Sequence, residues 1–344
     1  MVLLQQVISG LSIGSVYALV ALGYTMVYGI VQLINFAHGD IIMVGSYAVF
    51  FAINQLGAPF WLAILASMLF CAAIGVLMEK VAYKPLRNPP SRRALAFAAG
   101  LIAFMLLLMF VISIAIALMA ALCVCVAALF LTKRIGWSPK GGAPRISALI
   151  TAIGVSLFLQ NIFMLAFSPD PKPFPSVMEG TLKYGGRYSI SYGALATMAI
   201  SVGLMAALSI FISRTKMGRA MRAVSEDAGA AVLMGVNVNS TISATFAIGS
   251  ALAAVGGALY SASYPQIDPF MGSQFGLKAF IAAVLGGIGV VPGAMLGGFA
   301  MGVAESLTKA VDSRWSDAVV FLILIIVLLF KPSGVLGKNT KEKV

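Results

Sequence analysis

The sequence is divided into long apolar segments, separated by short stretches that hold most of the charge. A helix of about 20 apolar residues is what is needed to cross a hydrocarbon core about 30 Å thick. The segments lack the alternation of polar and apolar residues that a barrel strand requires. Of the 344 residues, 60% are hydrophobic and only 10% are charged; a soluble domain has about 25% charged residues. The chain is therefore predicted to be all-α, a polytopic transmembrane helical bundle with about 9–11 membrane segments.

The positions of the apolar segments predict the individual spans. They lie at residues 7–31, 41–55, 60–78, 146–167, 192–212, 240–264 and 315–330. We expect these spans to form a single transmembrane domain over residues 1–344. Cys71, Cys123 and Cys125 all lie inside apolar segments, so we interpret them as packing residues without disulfide or metal-binding roles.

One uncharged segment, residues 94–131, is about twice as long as a single span. Basic residues flank both of its ends, so both ends are expected on the same side of the membrane. We predict an inserted hydrophobic hairpin of two short spans. One long tilted helix is the alternative, and it would place its basic flanks on opposite sides.

A second unusual segment, residues 276–307, is apolar but interrupted by glycine and proline. Such a break is tolerated in a membrane only where protein covers it. We therefore predict two half-length helices that enter and leave from the outside. Glycines spaced by four residues let helices approach closely. Helix packing is predicted for the following glycines: Gly10, Gly14, Gly286, Gly287, Gly289, Gly293 and Gly297.

The net charge is +12, and the cations cluster in short segments between spans. This distribution indicates the positive-inside rule and argues against nucleic-acid binding. The basic segments 80–93, 133–145 and 214–239 and the C-terminal tail are expected in the cytoplasm. The N-terminus and the loops 168–191 and 265–274 are expected outside a cell inner (plasma) membrane that the chain crosses several times.

The polar segment 214–239 is predicted to contain one short amphipathic helix over residues 218–233. Its apolar face is formed by Met221, Val224, Ala228 and Ala231. Its polar face is formed by Arg219, Arg222 and Glu226, with an ion pair expected between Arg222 and Glu226. One interpretation is a helix lying on the bilayer surface. Because the apolar face has no Trp or Phe, docking against a protein is the favoured interpretation.

No catalytic constellation is apparent. His38 is the only histidine, and there is no GxxxxGK[ST] phosphate-binding loop. The chain is therefore predicted to be no enzyme and to bind no metal or cofactor. Any ATP-driven work would need a separate subunit.

Two groups of polar residues lie in or near the predicted spans. Asn35, His38 and Asp40 lie near a span boundary on the cytoplasmic side. They are interpreted either as a polar cap for the next helix or as part of the translocation path or gate. Lys278 and Glu305 flank the interrupted segment. Interfacial positions with a snorkelling lysine are one interpretation, and guidance of a zwitterionic solute is the other.

Ordered motifs extend over most of the chain. They are GLSIGSVYALVALGYTMVYGIVQLI followed by NFAHGD at residues 10–40, YKPLR at 83–87, IGVS with LQN at 153–161, FAIG at 246–249, KAF with GGIG at 278–289, and KPSG at 331–334. With segment 214–239, this set resembles the permease subunits of branched-chain amino-acid ABC transporters. Two departures are visible: residues 92–143 intervene where the family runs almost directly onward, and Asp40 stands where the family commonly has Glu.

The resemblance implies that segment 214–239 is the cytoplasmic coupling loop that contacts an ATPase. The residues that match the family's loop are Gly218, Arg219, Ala220, Arg222, Ala223, Glu226, Asp227, Ala231 and Gly235. The resemblance also implies two cytoplasmic ABC ATPase subunits that bind ATP and Mg, a second homologous permease subunit and an extracytoplasmic solute-binding protein. Branched-chain amino acids are the default substrate, and the wider family handles other amino acids and amides such as urea.

A free-standing secondary transporter or channel for a small polar solute is the alternative function. It would need coupling-ion ligands near the middle of the membrane. The predicted spans are almost free of acidic residues, which weighs against it. Uptake driven by an ion gradient without an ATPase would distinguish the two.

Overall fold

The structure is a computed structural model that describes residues 2–32, 34–87, 145–178, 180–184 and 188–337. Its α-helices are α1 (Val2–Val31), α2 (Ala37–Leu56), α3 (Phe60–Met78), α4 (Lys84–Arg87), α5 (Arg145–Phe167), α6 (Tyr192–Arg214), α7 (Lys216–Glu226), α8 (Ala228–Leu233), α9 (Val238–Ser263), α10 (Met271–Gly286), α11 (Val291–Val311) and α12 (Ser316–Phe330). A π-helical turn (Glu79–Tyr83) joins α3 to α4, and a short 3₁₀ helix (Ser313–Trp315) precedes α12.

In these described ranges, seven helical segments are long and apolar enough to cross a membrane. The bundle also contains the shorter apolar helix α10 and the 21-residue helix α11. The prediction of an all-α polytopic bundle is confirmed, and the predicted span 60–78 coincides with α3. The other predicted spans differ from the observed helices by a few residues at their ends.

The helices run between two ends of the bundle, which we name by what lies there. At the strand end, β1 (Lys172–Pro173) pairs with β4 (Gln266–Ile267), and β2 (Thr181–Tyr184) pairs with β3 (Tyr188–Ser191), both antiparallel. The first pair joins the loop after α5 to the loop after α9. The two loops predicted to lie outside are therefore in contact with each other.

The opposite end is the α7–α8 end, where the chain leaves α6 and forms both short helices before α9 begins. The link between α10 and α11 lies at this end too, because Gly289 lines the same small cavity as Met221 of α7. The chain after α12 also returns there, since the N–H of Val335 donates to the carbonyl of Leu285 at 2.9 Å.

The centre of the bundle is formed by α1, α2 and α9, whose apolar side chains are mostly buried. Helix α1 packs against α6, α9, α10 and α11, and α9 packs against α2 and α3. Helices α5, α6 and α12 carry large exposed apolar side chains. Because these helices bury little of their apolar surface in the protein, that surface suits contact with membrane lipid.

Glycine sets the closest approach between α1 and α11. A Cβ atom at Gly10 would lie 2.7 Å from the Cα of Val303, and one at Gly14 would lie 2.9 Å from the carbonyl oxygen of Gly298. Any larger residue would therefore push the two backbones apart. Gly293 and Gly297 of α11 pack in the same way on Gly286 and Ala282 of α10.

The interrupted segment differs from the prediction in the length of α11 and in the role of Gly289. It enters and leaves at the same end of the bundle, the strand end. Helix α11 has 21 residues and is no half-length helix; at about 1.5 Å per residue it is long enough to cross the core. Pro292 lies in the first turn of α11, where it favours helix initiation. The break is confined to a short link in which Gly287 and Gly289 have φ values of 110° and 91°. Gly289 serves this turn and does not pack a helix, since the nearest atom to a Cβ there is 4.0 Å away.

The chain forms two compact units, Met1–Glu79 with Leu149–Val344, and Lys80–Ala148. The predicted hairpin 94–131 belongs to the second unit and lies outside the described residues. Its two short spans, like the single-domain organisation of residues 1–344, stay predictions.

Candidate functional site

The polar segment between α6 and α9 folds as two helices, and the prediction of one helix over residues 218–233 is wrong. Asp227 is extended, with φ −156° and ψ 108°, and separates α7 from α8. Its Oδ1 accepts hydrogen bonds from the N–H groups of Gly229 and Ala230, at 2.7 and 2.9 Å. An aspartate that satisfies two free N–H groups starts a new helix.

The apolar face of this segment is partly as predicted. Met221 and Val224 of α7 and Ala231 of α8 are buried. Gly218 packs directly on the backbone of Ile212, which leaves no room for a side chain. Ala228 is exposed, contrary to the prediction, because the break at Asp227 changes the helical phase.

The polar face consists of exposed charges. Arg219, Arg222 and Glu226 are exposed, but the predicted ion pair between Arg222 and Glu226 does not form. The Arg222 guanidinium instead donates to the carbonyl of Ser213 at 3.4 Å. The charges are therefore available to another molecule.

The remaining matched residues lie on the same surface. Ala223 and Asp227 are exposed, Ala220 is half-buried, and Gly235 has φ 81° and ends the turn after α8. Beside them, Val232, Leu233 and Met234 are 57%, 88% and 84% exposed. We call these three residues the apolar tip. We did not predict this tip from the sequence, although the three consecutive apolar residues indicated it.

The cluster around His38 lies deeper than the span boundary predicted for it. Gln32 has a φ of 53°, which reverses the chain after α1, and α2 then begins inside the bundle. His38 is 1% exposed and packs between Gly23 of α1 and Gly249 of α9. Gly23 is eight residues from the end of α1, which places His38 about 12 Å inside the bundle.

The neighbours of His38 are also buried. Its ring meets that of Tyr24 edge-on, with centroids 4.7 Å apart. Asn35 is 2% exposed and lines a small cavity with Tyr24 and Phe280. These residues form a polar group inside the bundle and not a cap at its surface.

Asp40 lies in the first turn of α2 but makes no capping hydrogen bond there. Its Oδ1 instead accepts from Nε2 of Gln160 on α5, at 2.9 Å. The two residues are 120 positions apart in the sequence, and no local pattern indicated their contact. Asp40 therefore ties α2 to α5 inside the bundle.

Lys278 and Glu305 form an ion pair, which corrects the interpretation of two separate interfacial residues. The Lys278 Nζ lies 2.9 Å from Oε1 of Glu305, and Glu305 is 1% exposed. Lys309 Nζ lies 2.7 Å from the same oxygen, and the Tyr17 hydroxyl donates to Oε2 at 2.7 Å. Lys278 also contacts Oδ1 of Asp317 at 2.8 Å. Burial of Glu305 is tolerated because both of its oxygens accept charge-assisted or hydroxyl hydrogen bonds.

Three members of this cluster were missed from the sequence. Lys309 is four residues after Glu305, and this spacing was a usable signal. Tyr17 and Asp317 lie on α1 and α12, far away in sequence, and gave no signal.

A cavity of about 300 Å³ opens beside this cluster at the strand end. Its lining includes Lys278, Glu305 and Lys309, together with Asp268 in the loop after β4. A second cavity, of about 370 Å³, shares the wall formed by Ile13, Tyr260 and Tyr264. In the described ranges no group of three His, Cys, Asp or Glu side chains is placed to hold a metal ion.

A polytopic helical bundle with buried charges and a polar helical segment at one end fits a membrane transport protein of the permease class. The chain belongs to the family described as branched-chain amino acid transport system / permease component, which matches residues 6–328. This confirms the resemblance found in the sequence.

Relatives of the same kind align along nearly the whole chain. The high-affinity branched-chain amino acid transport system permease protein BraD of Pseudomonas aeruginosa is 39% identical, over 99% of this chain and 98% of its own. The corresponding protein LivH of Escherichia coli is 38% identical, over 99% and 97%. An autoinducer 2 import system permease protein, LsrC of Klebsiella pneumoniae, is 32% identical over 37% of this chain and 40% of its own. No solved structure matches the chain.

Proposed function

We propose that the chain is the permease subunit of an ATP-binding-cassette importer that carries branched-chain amino acids across the inner membrane. The family and the names of its relatives support the substrate class. The observation that carries the importer mechanism is the exposed surface of α7 and α8, which combines unpaired charges with the apolar tip. A surface of this composition suits a protein partner better than lipid headgroups.

The partners follow from this role. Two cytoplasmic ABC ATPase subunits bind ATP and Mg, and one of them contacts α7 and α8. A second homologous permease subunit completes the path, and an extracytoplasmic solute-binding protein delivers the amino acid. The chain itself hydrolyses no ATP and binds no cofactor.

The proposed orientation places the α7–α8 end in the cytoplasm and the strand end outside. Arg214, Lys216, Arg219 and Arg222 all lie at the α7–α8 end, which fits the positive-inside rule. The N-terminus then lies outside, because the start of α1 contacts β3 at the strand end. The C-terminus lies in the cytoplasm.

The packing of α7 offers a route for coupling. Helix α7 contacts α1, α6 and α9, and α1 and α9 supply Gly23 and Gly249 on either side of His38. Movement of an ATPase against α7 would therefore shift the two helices that enclose His38. We assign Asn35, His38 and Asp40 to the translocation path or its gate on this ground.

Reversal of one exposed charge tests the coupling surface. Glu226→Arg should leave membrane insertion and assembly of the bundle intact, because Glu226 is exposed and pairs with no cation among the residues that the structure describes. It should abolish substrate-stimulated ATP hydrolysis by the complex, because a charge of the wrong sign opposes docking.

The matched control is Asp312→Arg, which makes the same kind of reversal at the strand end. We expect normal stimulation in that variant. Normal stimulation in Glu226→Arg would contradict the role assigned to α7.

A further inference from the structure

We propose that the cavity beside Lys278 and Glu305 is a binding site for the zwitterionic head of the amino acid at the outer end of the path. The inference rests on the proposed function, since it takes a branched-chain amino acid as the solute. It adds the place where the permease first holds that solute and the groups that hold it.

The charge balance of the cavity fits a zwitterion. Its lining includes two lysines, Lys278 and Lys309, and two carboxylates, Glu305 and Asp268. Once the solute displaces Asp317 from Lys278, a lone anion or cation would leave these four lining charges with an uncompensated charge, whereas an α-amino acid brings one charge of each sign. Its ammonium and its carboxylate can therefore both be paired at once.

The two carboxylates that pair with Lys278, Glu305 and Asp317, differ in how firmly they are held. Glu305 is 1% exposed and is bound to three donors, so removing it from them would leave a buried charge unpaired. Asp317 is 63% exposed, and its contact with Lys278 is a solvent-screened pair of little energy. A solute carboxylate can replace Asp317 on Lys278 at small cost and can reach Lys309, which is 40% exposed.

Asp268 is placed to receive the ammonium group. Its Oδ1 accepts from the N–H of Phe270 at 2.8 Å. Its Oδ2 accepts no hydrogen bond from the described part of the chain. One carboxylate oxygen on the cavity wall is thus available to a cation.

An apolar wall completes the cavity. The ring of Phe275 packs against Tyr260, with centroids 4.4 Å apart, and against Tyr17 at 4.8 Å. Ile13 and Met271 extend this surface. A branched aliphatic side chain gains free energy by covering such a wall. The volume of about 300 Å³ lies at the small end of ligand pockets, which span about 300–1,000 Å³.

The position fits uptake from outside. Lys278 is seven residues from the start of α10 and Glu305 six residues from the end of α11, both at the strand end. The cavity also shares Ile13, Tyr260 and Tyr264 with the second cavity. A solute held at Lys278 therefore lies next to further space between α1 and α9.

A protection experiment tests the site directly. Gln274 is exposed and lines the cavity, so Gln274→Cys places a reactive thiol at its mouth. The rate of modification by a water-soluble thiol reagent is measured in the complete complex in nanodiscs, with the parent chain as background. We expect L-leucine to slow modification about tenfold or more, the factor given by about 1.4 kcal/mol.

Two analogues of L-leucine distinguish recognition of both charged groups from binding of the apolar side chain alone. Isocaproate lacks the ammonium group and isoamylamine lacks the carboxylate, but both keep the leucine side chain. Neither should protect at concentrations where L-leucine does. Absence of protection by L-leucine, or equal protection by either analogue, overturns the proposal.

Substitutions of residues that line the cavity provide a second test of the site. Asp268→Asn and Lys309→Gln, each in the Gln274→Cys background, should raise the L-leucine concentration for half-protection about tenfold. Asp312→Asn removes the same charge at the same end but outside the cavity, and it should cause no shift. An equal shift in all three variants, or none in the first two, contradicts the site.

Failure of the site and failure of the proposed function are distinguishable. A complex that imports L-leucine but shows no protection contradicts only the site. A complex that shows protection but imports no L-leucine contradicts only the importer function.

Discussion

At the scale of single residues, the bundle depends on glycines, which have no Cβ atom, as much as on its paired side chains. Gly10 and Gly14 allow α1 to touch the backbone of α11, and Gly23 makes room for His38. Glu305 shows how a buried charge is tolerated, because both of its carboxylate oxygens are paired. Close approach of helix backbones and pairing of Glu305 are therefore two local conditions for this packing.

Gly14→Ala tests the close approach. The added methyl group would lie 2.9 Å from the Gly298 carbonyl oxygen, so the two backbones must separate. We expect a loss of about 1–3 kcal/mol in stability, measured as a lower melting temperature of the purified protein in detergent. Gly203→Ala is the control, because a Cβ there meets nothing within 4 Å. Equal melting temperatures for the two variants would contradict the packing role of Gly14.

Glu305→Gln tests the buried pair. The substitution keeps the shape but leaves Lys278 and Lys309 without their shared anion. We expect a destabilisation of about 3 kcal/mol, again measured by thermal unfolding in detergent. Asp312→Asn alters a pair between the half-buried Asp312 and the exposed Arg314 and should leave the melting temperature unchanged. A Glu305→Gln protein as stable as the parent would show that the pair contributes little.

At the scale of elements, the α7–α8 segment shows how one side chain divides a helix. Asp227 ends α7 and caps α8, a helix of only six residues. A helix this short has little stability of its own, so it depends on its cap and on the burial of Ala231. The orientation of the apolar tip is therefore set by Asp227.

Asp227→Ala and Asp227→Asn separate capping from charge. Alanine removes the cap, at a cost of about 1 kcal/mol, whereas asparagine keeps a capping oxygen and loses only the charge. We expect substrate-stimulated ATP hydrolysis to fall in Asp227→Ala and to persist in Asp227→Asn. Loss of stimulation in both variants would assign the effect to the charge, and loss in neither would contradict the role of the cap.

The positions of the helices along the chain could be predicted from the sequence. How deep each helix lies in the bundle, and which side chains pair between helices, could be predicted less well. The limits of α3 followed from its uninterrupted apolar composition, because a span ends where polar residues begin. The deep start of α2 was not predictable, since a left-handed backbone at Gln32 depends on the helices around it. The pairs Asp40–Gln160 and Tyr17–Glu305 join residues more than 100 positions apart. Such pairs are set by the antiparallel packing of whole helices, which hydropathy does not encode.

At the scale of the whole molecule, the ends of the helices constrain the segment that the structure does not describe. Glu79, after α3, accepts a hydrogen bond from Ser243 near the start of α9, so α3 ends at the α7–α8 end. Helix α5 ends at the strand end, where β1 follows it, and therefore starts at the opposite end. An inserted hairpin with an even number of crossings requires this arrangement, because it returns the chain to the end from which it left.

Deletion of residues 94–131 together with their basic flanks tests that prediction. The later helices should keep their orientation, because an even number of crossings is removed. Cysteines placed within residues 218–235 should stay protected from an impermeant thiol reagent in intact cells. Labelling of those cysteines from outside would contradict the hairpin.

The central claim is that this chain provides the path and separate ATPase subunits provide the energy. The most direct measurement is accumulation of labelled L-leucine in proteoliposomes, with the chain alone or in the complete complex with its ATPases and binding protein. We expect accumulation only by the complete complex and only when ATP is supplied on the side of α7 and α8. Uphill accumulation by the chain alone, driven by an ion gradient, would contradict it.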